Sequence, residues 1–189
     1  MTRDRIAPTL AGVALIAMLA GGCILQVVKL VDINLGNISA VNGAASAGKY
    51  VDLAAENSTY KDNKDKFSDV VDVAVLGTFK NNLAAPVSAD VWIVEKPSSS
   101  ALLPNLAAVQ SAGGIKVWSL ALAANETKSL TWDNSAALFT TAGKGALKSE
   151  LEGDAIFTLY VFGDTGTYNV TATNASVAVM IDVMPLGGP

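Results

Sequence analysis

The chain contains no histidine, a single cysteine, Cys23, and no arginine beyond Arg5. Each absence closes a class of chemistry. Without imidazole there is no near-neutral general base, no nitrogen ligand for zinc and no side chain that ordinarily titrates near neutrality. One cysteine excludes an intramolecular disulfide, and with it a bridged secreted scaffold. Charged residues make up only 16% of the 189 positions while hydrophobic residues reach 51%, so general disorder is excluded. Past residue 22, eleven lysines face sixteen acids, a net charge of −5. A nucleic-acid partner needs a basic stripe to neutralise phosphates, and an acidic chain without arginine's fork offers none.

What the sequence does contain begins at its amino terminus. Met1-Thr-Arg-Asp-Arg5 is a short basic start, and an uncharged run from Ile6 to Gly22 ends immediately before Cys23. That order is the grammar of a secretory signal. The stretch Leu19-Ala20-Gly21-Gly22-Cys23 resembles the lipobox of bacterial lipoprotein precursors. In that family a diacylglyceryl group joins the cysteine sulfur, the peptide is cut just before it, and the new amino terminus is usually acylated.

The resemblance covers residues 1–23 and implies that 1–22 are a signal peptide and Cys23 the lipidation site. It implies an address in the cell envelope, with the membrane held through lipid. In a host with two membranes it points to the outer one, because Ile24 rather than aspartate follows the cysteine. Each buried CH₂ of an acyl chain contributes about 0.8 kcal/mol, so two or three chains hold a domain permanently. Two other readings use the same residues. The uncharged run from Ile6 to Val28 is 23 residues long, enough for a tilted transmembrane helix kept uncut, and simple secretion is the third.

Beyond Cys23 the chain alternates with period two. Strands are predicted over 27–35, 49–54, 71–79, 87–95, 115–122, 127–132, 155–162, 168–173 and 176–184. Asn81-Asn82 is read as the turn of a hairpin joining 71–79 to 87–95, and Asn174-Ala175 as the turn of a second one. The segment 37–48 is read as a loop, and 96–114 as a long surface connection with a helical turn over 105–110. Apolar residues on both faces make 155–162 the best central strand. One helical insertion is expected near 134–152, broken near Gly143 if it is two helices rather than one.

The predicted fold is therefore all-β, an antiparallel sandwich of about eight strands, Ig-like or similar, in a single domain. Residues 23–36 form its lipidated start and first strand, and 37–189 the remainder. No period of 20 to 50 residues recurs, which disfavours a solenoid.

Catalytic motifs fare poorly. Ser46-Ala-Gly-Lys49 matches SxxK without the SDN and KTG companions, and Gly143-Lys144-Gly145 is a fragment of a phosphate loop lacking its first glycine and its Ser or Thr. No GxSxG, HExxH or CxxC occurs. Oxygen ligands gather at Asp62, Asn63, Asp65 and Asp69, weak candidates for calcium because three lysines interleave with them. Glu150, Glu152 and Asp154 are read as a solvated helix end.

Trp92, Trp118, Trp132, Tyr160 and Tyr168 fall on predicted strands, as core rings in preference to an exposed carbohydrate or peptide platform. The Asn-x-Ser/Thr sites at Asn37, Asn57, Asn125, Asn169 and Asn174 are read as turn asparagines. No cofactor is implied. The expected role is a non-catalytic envelope lipoprotein, a structural or binding module for a protein or envelope partner. The alternatives are a hydrolase of envelope polymers using two carboxylates among Asp62, Asp65, Glu150, Glu152 and Asp154, or a small-ligand or lipid carrier with an apolar pocket between its sheets.

Overall fold

The period-two alternation is satisfied by two facing sheets. The computed structural model describes residues 27–42, 44, 46–163 and 166–184, and in it eight strands pair antiparallel as two sheets of four. The first sheet has the order β1 (Val27–Val41), β8 (Asn169–Val183), β3 (Phe67–Asn81), β6 (Thr127–Leu130). The second has the order β2 (Ala47–Asp52), β7 (Ile156–Gly163), β4 (Val87–Glu95), β5 (Ile115–Leu122). The eight-stranded antiparallel sandwich is thus the fold. Its strand order, which periodicity leaves open, is that of a jelly roll: β1 lies beside β8, β2 beside β7, β3 beside β6 and β4 beside β5. A long antiparallel ribbon folded over on itself produces this pairing.

Inward residues of both sheets make one core. Val31, Ile33, Val73, Val75, Phe79, Val177 and Val179 meet Val51, Ala89, Ile93, Leu120, Phe157 and Leu159, all buried. Trp118 is fully enclosed, its ring centroid 5.4 Å from that of Phe79. Each such large side chain contributes about 1.5–3 kcal/mol by leaving water, set against the cost of ordering the chain.

Three expectations need correction. The segments on either side of Asn174-Ala175 are not a hairpin but one 15-residue strand, β8, paired along its length with β1 and β3. Asn174 takes φ 50°, and Gly77 of β3 takes φ 128° with the site of a missing Cβ only 2.9 Å from Ala175 Cα. Gly36 of β1, at φ 70°, pairs with the same Ala175. These turn-like residues form a line of bulges across three strands, which lets them bend together without ending. For the same reason β1 runs on to Val41 through what reads as a loop.

The second correction concerns β3 and β4, which belong to different sheets. Asn81, fully buried, donates through Nδ2 to the carbonyls of Ala85 (2.7 Å) and Ala123 (2.9 Å), and its Oδ1 accepts from Leu83 N. It pins a crossing loop rather than a two-residue turn. Third, helices are not confined to 134–152. Asp52 caps α1 (Leu53–Glu56), Asn57 caps α2 (Ser58–Asn63) and Asn105 caps α3 (Leu106–Ser111). The expected insertion is α4 (Trp132–Ser135), a 3₁₀ turn and α5 (Thr141–Glu152), with the break at Phe139–Thr140 rather than at Gly143. Trp132 thereby opens α4 and is not part of the strand predicted over 127–132.

Helix α2 reaches α5, where the Tyr60 hydroxyl donates to Leu151 O at 2.8 Å. The 96–114 connection folds over the outer face of the second sheet. There Val94, Val109, Tyr160 and Phe162 form a second small core, joined by Trp92, Leu103, Leu106 and Tyr168.

Candidate functional site

A concavity lies over that outer face. A cleft of about 590 Å³ is lined by Phe162, Gly163 and Tyr168 on one side, Pro104 to Ala107 on another, and Asn42, Ala44 and Ser46 at its rim. Local sequence explains each wall. Phe162 points outward because its neighbours Val161 and Leu159 take the core face of β7, and the Tyr160 ring stacks beside it at 6.0 Å between centroids. The Tyr160 hydroxyl accepts from Leu103 N at 3.0 Å, which ties the 96–114 connection down and sets the opposite wall. Gly163 admits the Tyr168 ring, since a Cβ there would stand 2.3 Å from Tyr168 Cβ and Cγ. Burial in this place pushes the Tyr168 hydroxyl pKa upward.

The polar groups are few. Asn42 donates through Nδ2 to Gly166 O, Asn105 caps α3 through Ala108 N, and Ser46 Oγ is buried without a hydrogen-bond partner. None of the described lining residues is charged. Such a wall suits a neutral ligand with an apolar face and a hydroxyl or amide to meet Ser46. A second concavity of about 220 Å³, lined by Glu95, Lys96, Leu103 and Tyr160 among others, lies further along the same face. Neither of these two opens between the sheets.

The second candidate is acidic. Glu150 is read from sequence as solvated, yet it is 1% exposed, because α5 turns it inward beside Leu147 and Leu151. Burial pushes its carboxyl up to about 7, the charges of Asp154 and Glu95 push the same way, Lys96 opposes them, and a hydrogen bond with Asp154 completes the shift. Its Oε2 has no hydrogen-bond partner. The Tyr60 hydroxyl is pushed up to about 12 by burial and by the acids Asp154 and Glu150. The Glu150 and Asp154 side chains thus stand at hydrogen-bonding range, closer than the roughly 5–9.5 Å that separates working glycosidase carboxylates. Glu152 points away to Lys148 at 3.7 Å, and Asp62 and Asp65 are exposed on α2 and the 3₁₀ turn Lys64–Lys66.

The calcium candidates are dispersed. Asn63 donates to Thr59 O at 2.7 Å, while Asp69 accepts from Lys148 Nζ at 2.7 Å and Val70 N at 2.8 Å, which holds its carboxyl below the usual range. Among the described residues no group of three or more acidic, histidine or cysteine side chains is placed to hold a metal.

The two motif fragments also find places. Ser46 stands at the cleft rim, whereas Lys49, three residues on along β2, bonds Asn34 O and Glu56 at 2.6 Å each. An extended strand sends residues three apart to opposite faces, so this lysine does not serve that serine. Gly143 packs against β5, and Lys144 pairs with Asp72 at 3.3 Å.

Of the rings, Trp118 and Tyr160 are core, and Tyr168 and Phe162 line the cleft. Trp132 Nε1 donates to Asp72 at 2.9 Å, and Trp92 lies half-buried 5.9 Å from Lys116 Nζ. Phe162 was missed because it reads as one more apolar residue in a doubly covered strand. The signal was the second, outward face of that strand, which the Leu- and Ala-rich 96–114 connection has to cover. Cys23 lies outside the described residues. No family model matches the chain, and no curated protein matches it either.

Proposed function

We propose that this chain is a non-catalytic module of the cell envelope, a jelly roll tethered through lipid on Cys23 that binds a neutral ligand or partner segment in the Phe162–Tyr168 cleft. One observation carries the tether. The lone cysteine stands at the end of a lipobox-like leader, and the first strand starts only four residues later, at Val27. Val27 and Val28 pair with Val183 and Asp182, which takes them from the uncharged run that an uncut transmembrane helix would use. Among the described residues no helix is long and apolar enough to cross a membrane.

A cleft of this size lies within the roughly 300–1,000 Å³ of ligand sites, and the lack of charge among its described lining residues supports binding over chemistry. Membrane fractionation of cells expressing the full chain tests the tether. Wild type should sediment with membranes as a shortened polypeptide, and Cys23→Ser should be either released or left with its leader uncut. Equal size and equal distribution of the two proteins would overturn the reading.

A further inference from the structure

Four of the six exposed large apolar residues among those described lie on one end of one surface: Val28, Leu30, Val71 and Met184. They share the outer face of the first sheet. Along β1, Val28 and Leu30 alternate with the buried Val31 and Ile33. On β8, Met180 and Met184 alternate with Val179, Ile181 and Val183, all at most 3% exposed. In register, Leu30 lies opposite Met180, whose partner on the other side is Asp72, and Val71 is the bulged residue just before it. The result is an apolar stripe across β1, β8 and β3.

Asp32, exposed two residues beyond Leu30 on the same face, marks the limit of this stripe, and the other acids around it are paired or covered. Asp69 and Asp72 are paired with Lys148 and Lys144 from α5, and Asp182, between Val28 and Asp69 in the ladder, is only 6% exposed. Lys66 stands at its rim beside Met184, whose N–H donates to Lys66 O at 2.9 Å. Four residues from Cys23 to Val27 span at most about 14 Å when fully extended. Any lipid on Cys23 therefore holds this end of the sandwich within about 14 Å of the bilayer.

We propose that this face rests on the bilayer, its aliphatic residues at the headgroup boundary and Lys66 at its rim among anionic headgroups. The inference rests on the tether proposed above and adds an orientation to it, in which the cleft side of the second sheet is turned away from the membrane. A second copy of the chain is the competing occupant. Five side chains cover a few hundred Å², however, short of the roughly 800 Å² per partner of a stable interface.

The test uses the full chain carrying Val71→Cys, Leu30→Cys or, as a control, Thr127→Cys, each labelled on the new thiol and reconstituted in vesicles of phosphatidylethanolamine and phosphatidylglycerol. Thr127, opposite Lys80 in the ladder, is nine strand positions from Val71, about 30 Å away. With acylated Cys23 confirmed by mass, nitroxide lipids should quench the labels at 71 and 30 about twofold or more and leave 127 unquenched, as seating at the headgroup boundary requires. An acylated chain whose three labels are quenched alike, or not at all, overturns the docking face and leaves the tether standing. A non-acylated chain with unquenched labels overturns both. Self-quenching of the 71 label that needs no vesicles identifies a second copy as the occupant, and this too overturns the proposal.

Discussion

Gly143→Val should lower the unfolding free energy by about 3 kcal/mol or more, while Gly145→Ala, two residues along the same helix, should raise it by about 0.5–1 kcal/mol. A Cβ at position 143 would stand 2.3 Å from Val117 Cα and 2.5 Å from Val117 O, backbone atoms of a paired strand that cannot move aside as a side chain can. Around position 145 nothing lies within 4 Å, so alanine there only removes glycine's helix penalty. Helix α5 is held on β5 by Thr140 N to Val117 O at 3.0 Å and Thr140 Oγ1 to Lys116 O at 2.8 Å. Pushing it off also strips Leu147 and Leu151 from the core and Lys144 from Asp72. Denaturant unfolding followed by tryptophan fluorescence reads both variants, since Trp118 passes from full burial to water. Equal effects at the two glycines would refute the close approach.

Glu150→Gln should stabilise the fold by about 2 kcal/mol at about pH 8 and by almost nothing at about pH 4. The folded state holds this carboxyl at about 7 against an ordinary 4.5, chiefly through burial, then through Asp154 and Glu95, with Lys96 opposing. Below the ordinary value both folded and unfolded chains carry the proton, and its contribution is fully present. As pH rises from there the unfolded chain releases the proton while the fold still binds it, so stability falls. The contribution is lost once the pH passes about 7, where the carboxylate is charged inside the protein. Glutamine keeps a donor for Asp154 and never acquires that charge. Unfolding free energies across the pH range should therefore decline for wild type and stay flatter for the variant. A parallel decline in both would assign the pH dependence to other groups.

Strand positions were legible because alternation reports burial directly: β2, β4, β5 and β7 lie within two residues of where period two places them, and β7 is central in its sheet. Strand ends were less so. Gly36, Gly77 and Asn174 carry the composition of turns, yet within a three-strand stack they make bulges, a distinction set by neighbours far away in sequence. Asn81-Asn82 likewise reads as a hairpin turn, and only its bond to Ala123 reveals a crossing between sheets. At the acid cluster, Glu150 reads as solvent-facing from its neighbours in sequence, and its burial depends on the packing of α5 against β5. The cleft was least visible, because Phe162 and Tyr168 become its walls only when the 96–114 connection folds across them.

The tether is the premise for address, orientation and role, and the intact mass of the protein extracted from membranes tests it most directly. The account predicts a polypeptide that begins at Cys23 and carries the added mass of a diacylglyceryl group, with or without a further acyl chain. A full-length polypeptide with an unmodified Cys23 would contradict it.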